Sequence, residues 1–329
     1  MKLANLSTSA ILEGIYTNNV AIVSKAITII ESTKLEHRSL ANEIIEGCIS
    51  KKHDTLRIGI TGVPGAGKST FIEQFGGLLT NLEKKVAVLT VDPTSSRTKG
   101  SILGDKTRMQ ELVKNPNVYI RPSASGTSLG GVARKTRESI VILEAARFDI
   151  ILIETVGVGQ SETAVHDMVD FFLLLKLAGA GDELQGIKRG IIEMADTIVI
   201  NKADGKNIQN ASQAKMEFSR ALHMFPPKEN GWTPKVLTCS ALENKGLNEI
   251  WQLISNYNDT MKQNGFFFKN RQQQNENWLI QYVEQELLAK FYQNPKIKEL
   301  LPILKSEVIK GNTSPFKAAE KILRLFQIN

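Results

Sequence analysis

Cysteine is scarce in this 329-residue sequence, which has only Cys48 and Cys239. That excludes a disulfide framework and a four-cysteine zinc site, and it points to a reducing compartment. Histidine is also sparse. His37, His53, His166 and His223 are scattered, so no soft-metal cluster is spelled out. No apolar run approaches the length of a membrane span, and the longest, Phe171–Leu175, is strand-sized. The first residues lack a basic segment followed by an apolar one, and no arginine precedes Arg38. Neither a secretory signal nor an Arg-rich transit peptide is therefore expected, and the expected compartment is the cytoplasm. Aromatics make up 6% of the chain and are not interleaved with a basic stripe, which argues against a nucleic-acid surface. What is present is ordinary for a globular protein: 42% hydrophobic and 23% charged residues. Lys and Arg number 41 against 34 Asp and Glu, and the resulting +7 invites an anion.

The chain reads in three parts. Residues 1–52 are helical, with one broad apolar face through Val20, Ile22, Val23, Ala26, Ile27, Ile29 and Ile30 and another through Leu40, Ala41, Ile44, Ile45 and Cys48. Residues 53–265 alternate helical patterns with seven short apolar runs. These are Arg57–Thr61, Val86–Val91, Val118–Arg121, Asp149–Glu154, Phe171–Leu177, Thr197–Asn201 and Lys235–Cys239. The runs are continuous rather than alternating, as in strands covered by helices on both sides, and they predict a doubly wound, mostly parallel α/β sheet. Residues 266–329 return to helix. Trp278, Tyr282, Val283, Leu287 and Phe291 mark one face, and Leu300, Ile303, Leu304 and Val308 a second. After Gly311, Ser314 as N-cap and Pro315 as first residue open a third helix carrying Ala319, Ile322, Leu323 and Phe326.

Gly62-Val63-Pro64-Gly65-Ala66-Gly67-Lys68-Ser69, followed by Thr70, fits G-x-x-x-x-G-K-[ST] between a strand and a helix. Glycines let successive backbone N–H groups turn inward on phosphate oxygens, and the helix dipole adds to the attraction. Lys68 is expected to reach the β- and γ-phosphates and the Ser69 hydroxyl to hold Mg²⁺. Asn201-Lys202-Ala203-Asp204 ends a later strand and has the form N-K-x-D. A carboxylate at Asp204 can accept from the N1–H and 2-amino group of guanine. Adenine offers no such pair of donors. Lys202 can cover the base, Asn201 can tie its loop to the phosphate loop, and Ser240-Ala241-Leu242 after the next strand can complete the base site.

Acidic residues at the carboxyl ends of parallel strands sit where ligands bind. Asp92 and Glu154 hold such places and are candidates to order Mg²⁺ through water, while the Gly157 N–H is placed to meet a γ-phosphate. Asp105 is a third acidic candidate and equally a helix N-cap. Gln160 could orient water or lie on the surface. No general base stands out, which phosphoryl transfer tolerates because it depends mainly on positioning and charge.

Several stretches together resemble the MeaB/ArgK-type GTPases of the SIMIBI class of P-loop proteins. They are Thr61–Thr70, Val91–Arg97, Gly100–Met109, Arg121–Gly126, Glu154–Glu162 and Gly179–Asp196, the last being absent from generic GTPases. Thr98-Lys99 departs mildly from the small residues usual there. The resemblance implies a chaperone GTPase that uses GTP and GDP with Mg²⁺. It would bind adenosylcobalamin-dependent methylmalonyl-CoA mutase, gate cofactor loading and protect the enzyme. It implies a homodimer joined by the C-terminal helices, and neither a nucleic-acid nor a membrane partner is expected. It also makes the loop bearing Asp182, Glu183, Gln185 and Lys188 a switch that signals to the mutase; by residue type alone that loop reads as a solvated connector. The alternatives are a metallochaperone for another metalloenzyme, disfavoured by the scattered Cys and His, a transport-system kinase of arginine and ornithine uptake, and a module in which nucleotide is only structural.

Overall fold

A computed structural model describes residues 7–51, 53–91, 109–122, 129–155, 161–178 and 189–326. All seven apolar runs form strands: β1 (Leu56–Gly62), β2 (Val86–Val91), β3 (Val118–Arg121), β4 (Ile150–Thr155), β5 (Phe171–Leu177), β6 (Thr197–Asn201) and β7 (Lys235–Thr238). They build one sheet in the order β3-β2-β4-β1-β5-β6-β7, with every neighbouring pair parallel. Boundaries differ from the sequence reading by a residue or two at strand ends. β4 runs one residue beyond Glu154, and Cys239 falls outside β7.

Both faces of the sheet are buried, which is why its strands read as unbroken apolar runs. One face packs Ile58, Ile60, Val86, Val88, Leu152, Phe171 and Leu173 against Phe71, Phe75 and Leu79 of the helix Lys68–Asn81 and Ile250, Ile254 and Tyr257 of the helix Leu247–Gln263. On the other face, Leu174, Ile198 and Ile200 meet Ala211, Ala214 and Phe218 of the helix Ile208–Leu222. The N-terminal helices Thr8–Tyr16, Val20–Glu31 and Arg38–Ile49 pack on one another and on the helix Leu129–Ala145. Ser7 and Asn19 cap the first two by accepting from backbone N–H groups of their first turns. Glu31 pairs with Arg121 at the end of β3.

The chain divides into compact units at Met1–Gln272 and Gln273–Asn329. The polar stretch Gln272–Asn275 lies inside a continuous helix, Phe266–Gln293. The second unit has a small core of Ile297, Leu304, Ala318 and Ile322, flanked by Phe291 and Phe326. Ser314 caps the helix Pro315–Leu323 as its sequence predicts, accepting from Lys317 N at 3.2 Å. The buried face of that helix is nevertheless Ala318 and Ile322, with Ala319 and Leu323 exposed. Ile303 is likewise exposed beside buried Leu304. A helix this short has more apolar positions than one narrow contact can cover, so the sequence pattern leaves its rotation underdetermined.

At the amino ends of β1 and β5 an ion network closes the first unit. The Arg271 guanidinium donates to both Asp170 carboxylate oxygens, Nε at 2.8 Å and Nη2 at 2.7 Å, and Nη2 also donates to the Thr55 carbonyl at 2.6 Å. Glu144 accepts from Arg57 Nε at 2.8 Å and lies 3.3 Å from Arg271 Nη1. Burial disfavours the charged form of Arg271. The Asp170 and Glu144 carboxylates outweigh it and hold the guanidinium pKa above its usual value. Truncating one member of such a network strands the others without charge compensation. Arg271→Ala is expected to lower unfolding free energy by about 3–5 kcal/mol in urea denaturation. Arg271→Lys recovers only part of this, because an ammonium cannot bridge both carboxylate oxygens in the same fork.

Candidate functional site

The strand order reverses beside β1. From β1 the chain crosses to β2 on one side, and from β4 it crosses to β5 on the other. A crevice opens between the carboxyl ends of two such strands, and it is where doubly wound sheets bind ligands. The segment Gly62–Gly67 enters this crevice and turns into the helix Lys68–Asn81. Glycine is required at both ends of the turn. A Cβ on Gly62 would lie 2.3 Å from the Leu175 carbonyl oxygen, and one on Gly67, at φ +85°, would lie 2.7 Å from Asn201 Nδ2. Gly67 is the residue before the helix and provides no side-chain cap, so the first-turn N–H groups face the crevice without a side-chain acceptor from that position.

Lys68 is buried and folds back over the loop, its ammonium donating to the carbonyls of Gly62 at 2.7 Å and Val63 at 3.2 Å. Burial pulls its pKa below the usual lysine value, while Glu154 and Glu162 favour the charged form. Ser69 Oγ donates to Glu154 Oε1 at 3.4 Å. Two hard oxygen donors, a hydroxyl and a carboxylate, thus converge from β4 and from the start of the helix. Pro64, Gly65 and Thr70 are exposed, and Ala66 is buried beneath them.

The loops after β6 and β7 are tied to this one by Asn201, which is only 1% exposed. Its Nδ2 donates to the Ala66 carbonyl at 2.9 Å, and its Oδ1 accepts from Ala241 N at 3.1 Å and from the Cys239 thiol at 3.4 Å. One carboxamide therefore joins three segments far apart in sequence. Lys202 follows at φ +59° and is exposed, and the Ala203 N–H donates to the Cys239 carbonyl at 2.9 Å. The Ser240 hydroxyl donates a short hydrogen bond to Asp204 Oδ2 while accepting from Glu243 N at 3.1 Å. A bridge between Ser240 and Lys245 closes the second loop. The Asp204 carboxylate is half-buried and held by the Ser240 hydroxyl at Oδ2, and a carboxylate can accept further N–H donors. Leu242 is 81% exposed at the rim.

The structure thus brings together Gly62, Val63, Pro64, Gly65, Ala66, Gly67, Lys68, Ser69, Thr70, Glu154, Asn201, Lys202, Asp204, Ser240, Ala241 and Leu242. Asp92, Asp105, Gly157, Gln160, Asp182, Glu183, Gln185 and Lys188 lie outside the described residues. By sequence Cys239 ends an apolar run and, with Cys48, speaks to compartment and against a soft-metal site, with no role in the nucleotide loops. The structure places its thiol against Asn201, where burial, followed by Asp204, pushes its pKa up to about 12. Its position immediately before Ser240 is the one sequence signal of this role. Among the described residues no cluster of three or more His, Cys, Asp or Glu side chains is arranged to hold a metal, and no helix is long and apolar enough to cross a membrane.

Asn201→Ala removes the partners of the buried Ala66 carbonyl and Ala241 N–H. Each buried group left unpaired costs about 1–3 kcal/mol, so the variant is expected to unfold at lower denaturant concentration with an unchanged slope.

Residues 23–296 match the family described as methylmalonyl Co-A mutase-associated GTPase MeaB. A probable GTPase of Mycobacterium bovis is 48% identical over 305 residues, 93% of this chain and 91% of that one. GTPase ArgK of Escherichia coli is 47% identical over 274 residues, 83% of each chain. The mouse protein named methylmalonic aciduria type A homolog, mitochondrial, is 43% identical over 95% of this chain and 78% of its own. A crystal structure titled LAO/AO transport system kinase superposes with a TM-score of 0.79 at 35% identity, covering 100% of both chains. With the family matched across nearly the whole first unit and these relatives alike over most of their lengths, the chain belongs to the MeaB family of P-loop GTPases.

Proposed function

We propose that this GTPase is a chaperone of an adenosylcobalamin-dependent methylmalonyl-CoA mutase, gating cofactor loading by GTP binding and hydrolysis and protecting the mutase. The observation that carries this reading is the family match over residues 23–296, whose description names the association with methylmalonyl-CoA mutase. The mouse relative's name, which refers to methylmalonic aciduria, supports the same metabolic context. The cytoplasm is the proposed compartment.

In this reading, Gly62–Gly67 and the first turn of the following helix wrap the β- and γ-phosphates with backbone N–H groups. Lys68 exchanges its loop carbonyls for phosphate oxygens. Asp204, oriented by Ser240, accepts from the guanine N1–H and 2-amino group, Asn201 holds the phosphate and base loops at fixed separation, and Lys202 and Leu242 flank the base. The pairing of Ser69 Oγ with Glu154 Oε1 fits Mg²⁺, which prefers a few hard oxygen ligands and keeps several waters. Bound there, Mg²⁺ would neutralise charge on the phosphate oxygens. Asp92 is proposed to assist Glu154, Asp105 to be a further acidic group of the site, and Gly157 to contact the γ-phosphate. Asp182, Glu183, Gln185 and Lys188 are proposed to carry the nucleotide state to the mutase.

Residues 1–52, 53–265 and 266–329 are taken as the N-terminal helical extension, GTPase domain and C-terminal arm of a homodimer. Within the second unit, Leu279, Val283 and Leu287 recur every four residues along one helix and are 62%, 46% and 42% exposed. An apolar stripe so spaced suits burial against another helix.

Asp204→Asn replaces an acceptor by an amide donor and is expected to move base preference from guanine toward xanthine, which has a carbonyl where guanine has its amino group. Competition binding with GTP and XTP reads this directly, and retained guanine preference contradicts it. Lys68→Ala is expected to abolish tight GTP binding in calorimetry. Affinity capture from the source cell, with the protein loaded with GDP or with GTP, is expected to recover a cobalamin-dependent mutase. Recovery of a transporter or a hydrogenase instead overturns the proposed partner.

A further inference from the structure

The pairing of β1 with β4 stops before the strands do. Their register runs from Leu56↔Ile150 to Ile60↔Glu154 and ends there. Beyond it, β1 stays paired with β5 through Thr61↔Leu174 and Gly62↔Leu175, and β4 stays paired with β2 through Val91↔Thr155. Each strand follows its outer neighbour, and the crevice begins between them. A side-chain hydrogen bond spans the opening: Thr155 Oγ1 donates to Thr61 Oγ1 at 2.8 Å. Both threonines are essentially inaccessible, at 0% and 1% exposure.

The neighbours of this pair give it consequence. Thr61 directly precedes Gly62, where the phosphate loop begins. Thr155 directly follows Glu154, whose carboxylate meets Ser69, and directly precedes the segment containing Gly157. Side chains alternate along a strand, so Thr155 points to the face opposite Glu154. The bridge therefore lies behind the site, touching neither Ser69 nor the crevice lip. Packing alone does not call for hydroxyls here. Valine has the same shape and β-branching, and it would avoid burying two polar groups in the core. An O–H···O bond specifies a separation more narrowly than a dispersion contact does.

We propose that Thr155 is a positioning residue for GTP hydrolysis, its hydroxyl bridge to Thr61 fixing the spacing between the phosphate loop and the carboxylate-bearing end of β4. This rests on the reading of the phosphate loop and Glu154 given above. The backbone ladder fails at this level, so without the bridge β4 is free to follow β2 outward. That would move Glu154 away from Ser69. Nucleotide affinity, carried mainly by the phosphate-loop N–H groups and the base loops, is affected little. The rate of phosphoryl transfer is affected more, because it depends on placement of groups about the γ-phosphate.

The test compares full-length Thr155→Val, Thr155→Ser, Thr61→Val and the double valine variant with the native protein. Single-turnover GTP hydrolysis, GTP affinity by calorimetry and thermal melting are measured on each. Thr155→Val is expected to slow hydrolysis about tenfold, the effect of one lost hydrogen bond, with GTP affinity nearly unchanged. Thr155→Ser, which keeps the hydroxyl, is expected to restore the rate. The double variant is expected to be no slower than Thr155→Val, because both changes break the same link. A native rate in folded Thr155→Val overturns the proposal. So does a serine variant as slow as the valine one, or rate and affinity falling together. If Thr155→Val does not fold, Thr61→Val removes the same bond from the acceptor side and carries the same expectation. Glu154→Gln is measured in parallel. A native rate there overturns the role given to Glu154, while the bridge is judged separately by valine against serine at position 155.

Discussion

The site depends on the reversal of strand order between β1 and β4. Adjacent parallel strands whose connections leave in opposite directions cannot both be covered at their carboxyl ends, so a crevice forms without side chains having to carve it. Here the phosphate-loop segment leaves β1 into that crevice, and Glu154 stands across from it near the end of β4. Everything polar in the site is then a matter of holding loops at the rim of a sheet whose faces are mostly apolar. The sheet supplies the rigidity, with six parallel pairings and long side chains such as Phe71, Phe75, Phe171 and Phe172 fully buried around it.

Two kinds of interaction hold the rim. Backbone curvature at Gly62 and Gly67 lets the loop pass within contact distance of Leu175 and Asn201, an approach that a Cβ would block. A buried carboxamide then links that loop to the two that carry Asp204 and Ser240. A neutral amide suits this task because it donates and accepts at once, whereas a carboxylate would only accept and would carry the desolvation cost of a buried charge. At the opposite end of the sheet the demands differ. There Arg271, Arg57, Asp170 and Glu144 neutralise one another within a nearly closed network, and the chemistry is structural.

Much of this was legible from residue order because the informative features are local. The phosphate loop is eight consecutive residues, and its strand and helix flank it directly. The seven strands are contiguous apolar runs, and all seven form. The N-cap at Ser314 acts within three residues. Less legible were features set by distant contacts. The rotation of the helix Pro315–Leu323, which buries Ala318 rather than Ala319, follows from where Ile297 and Leu304 lie.

The sequence by itself determined which donor and acceptor groups each loop carries: glycines with a lysine and a serine at one, and an asparagine and an aspartate at the other. These identities follow from the donor and acceptor capacities of side chains and need no partner in space. Only the tertiary structure decided which groups meet. It set the strand order, put Asn201 against Ala66 and Ala241, turned the Cys239 thiol toward that same carboxamide, and left two threonine hydroxyls facing each other where the ladder between β1 and β4 ends. The reason is physical. A hydrogen bond between residues many tens of positions apart is specified by the packing of the sheet between them, and no local pattern of residues encodes that distance.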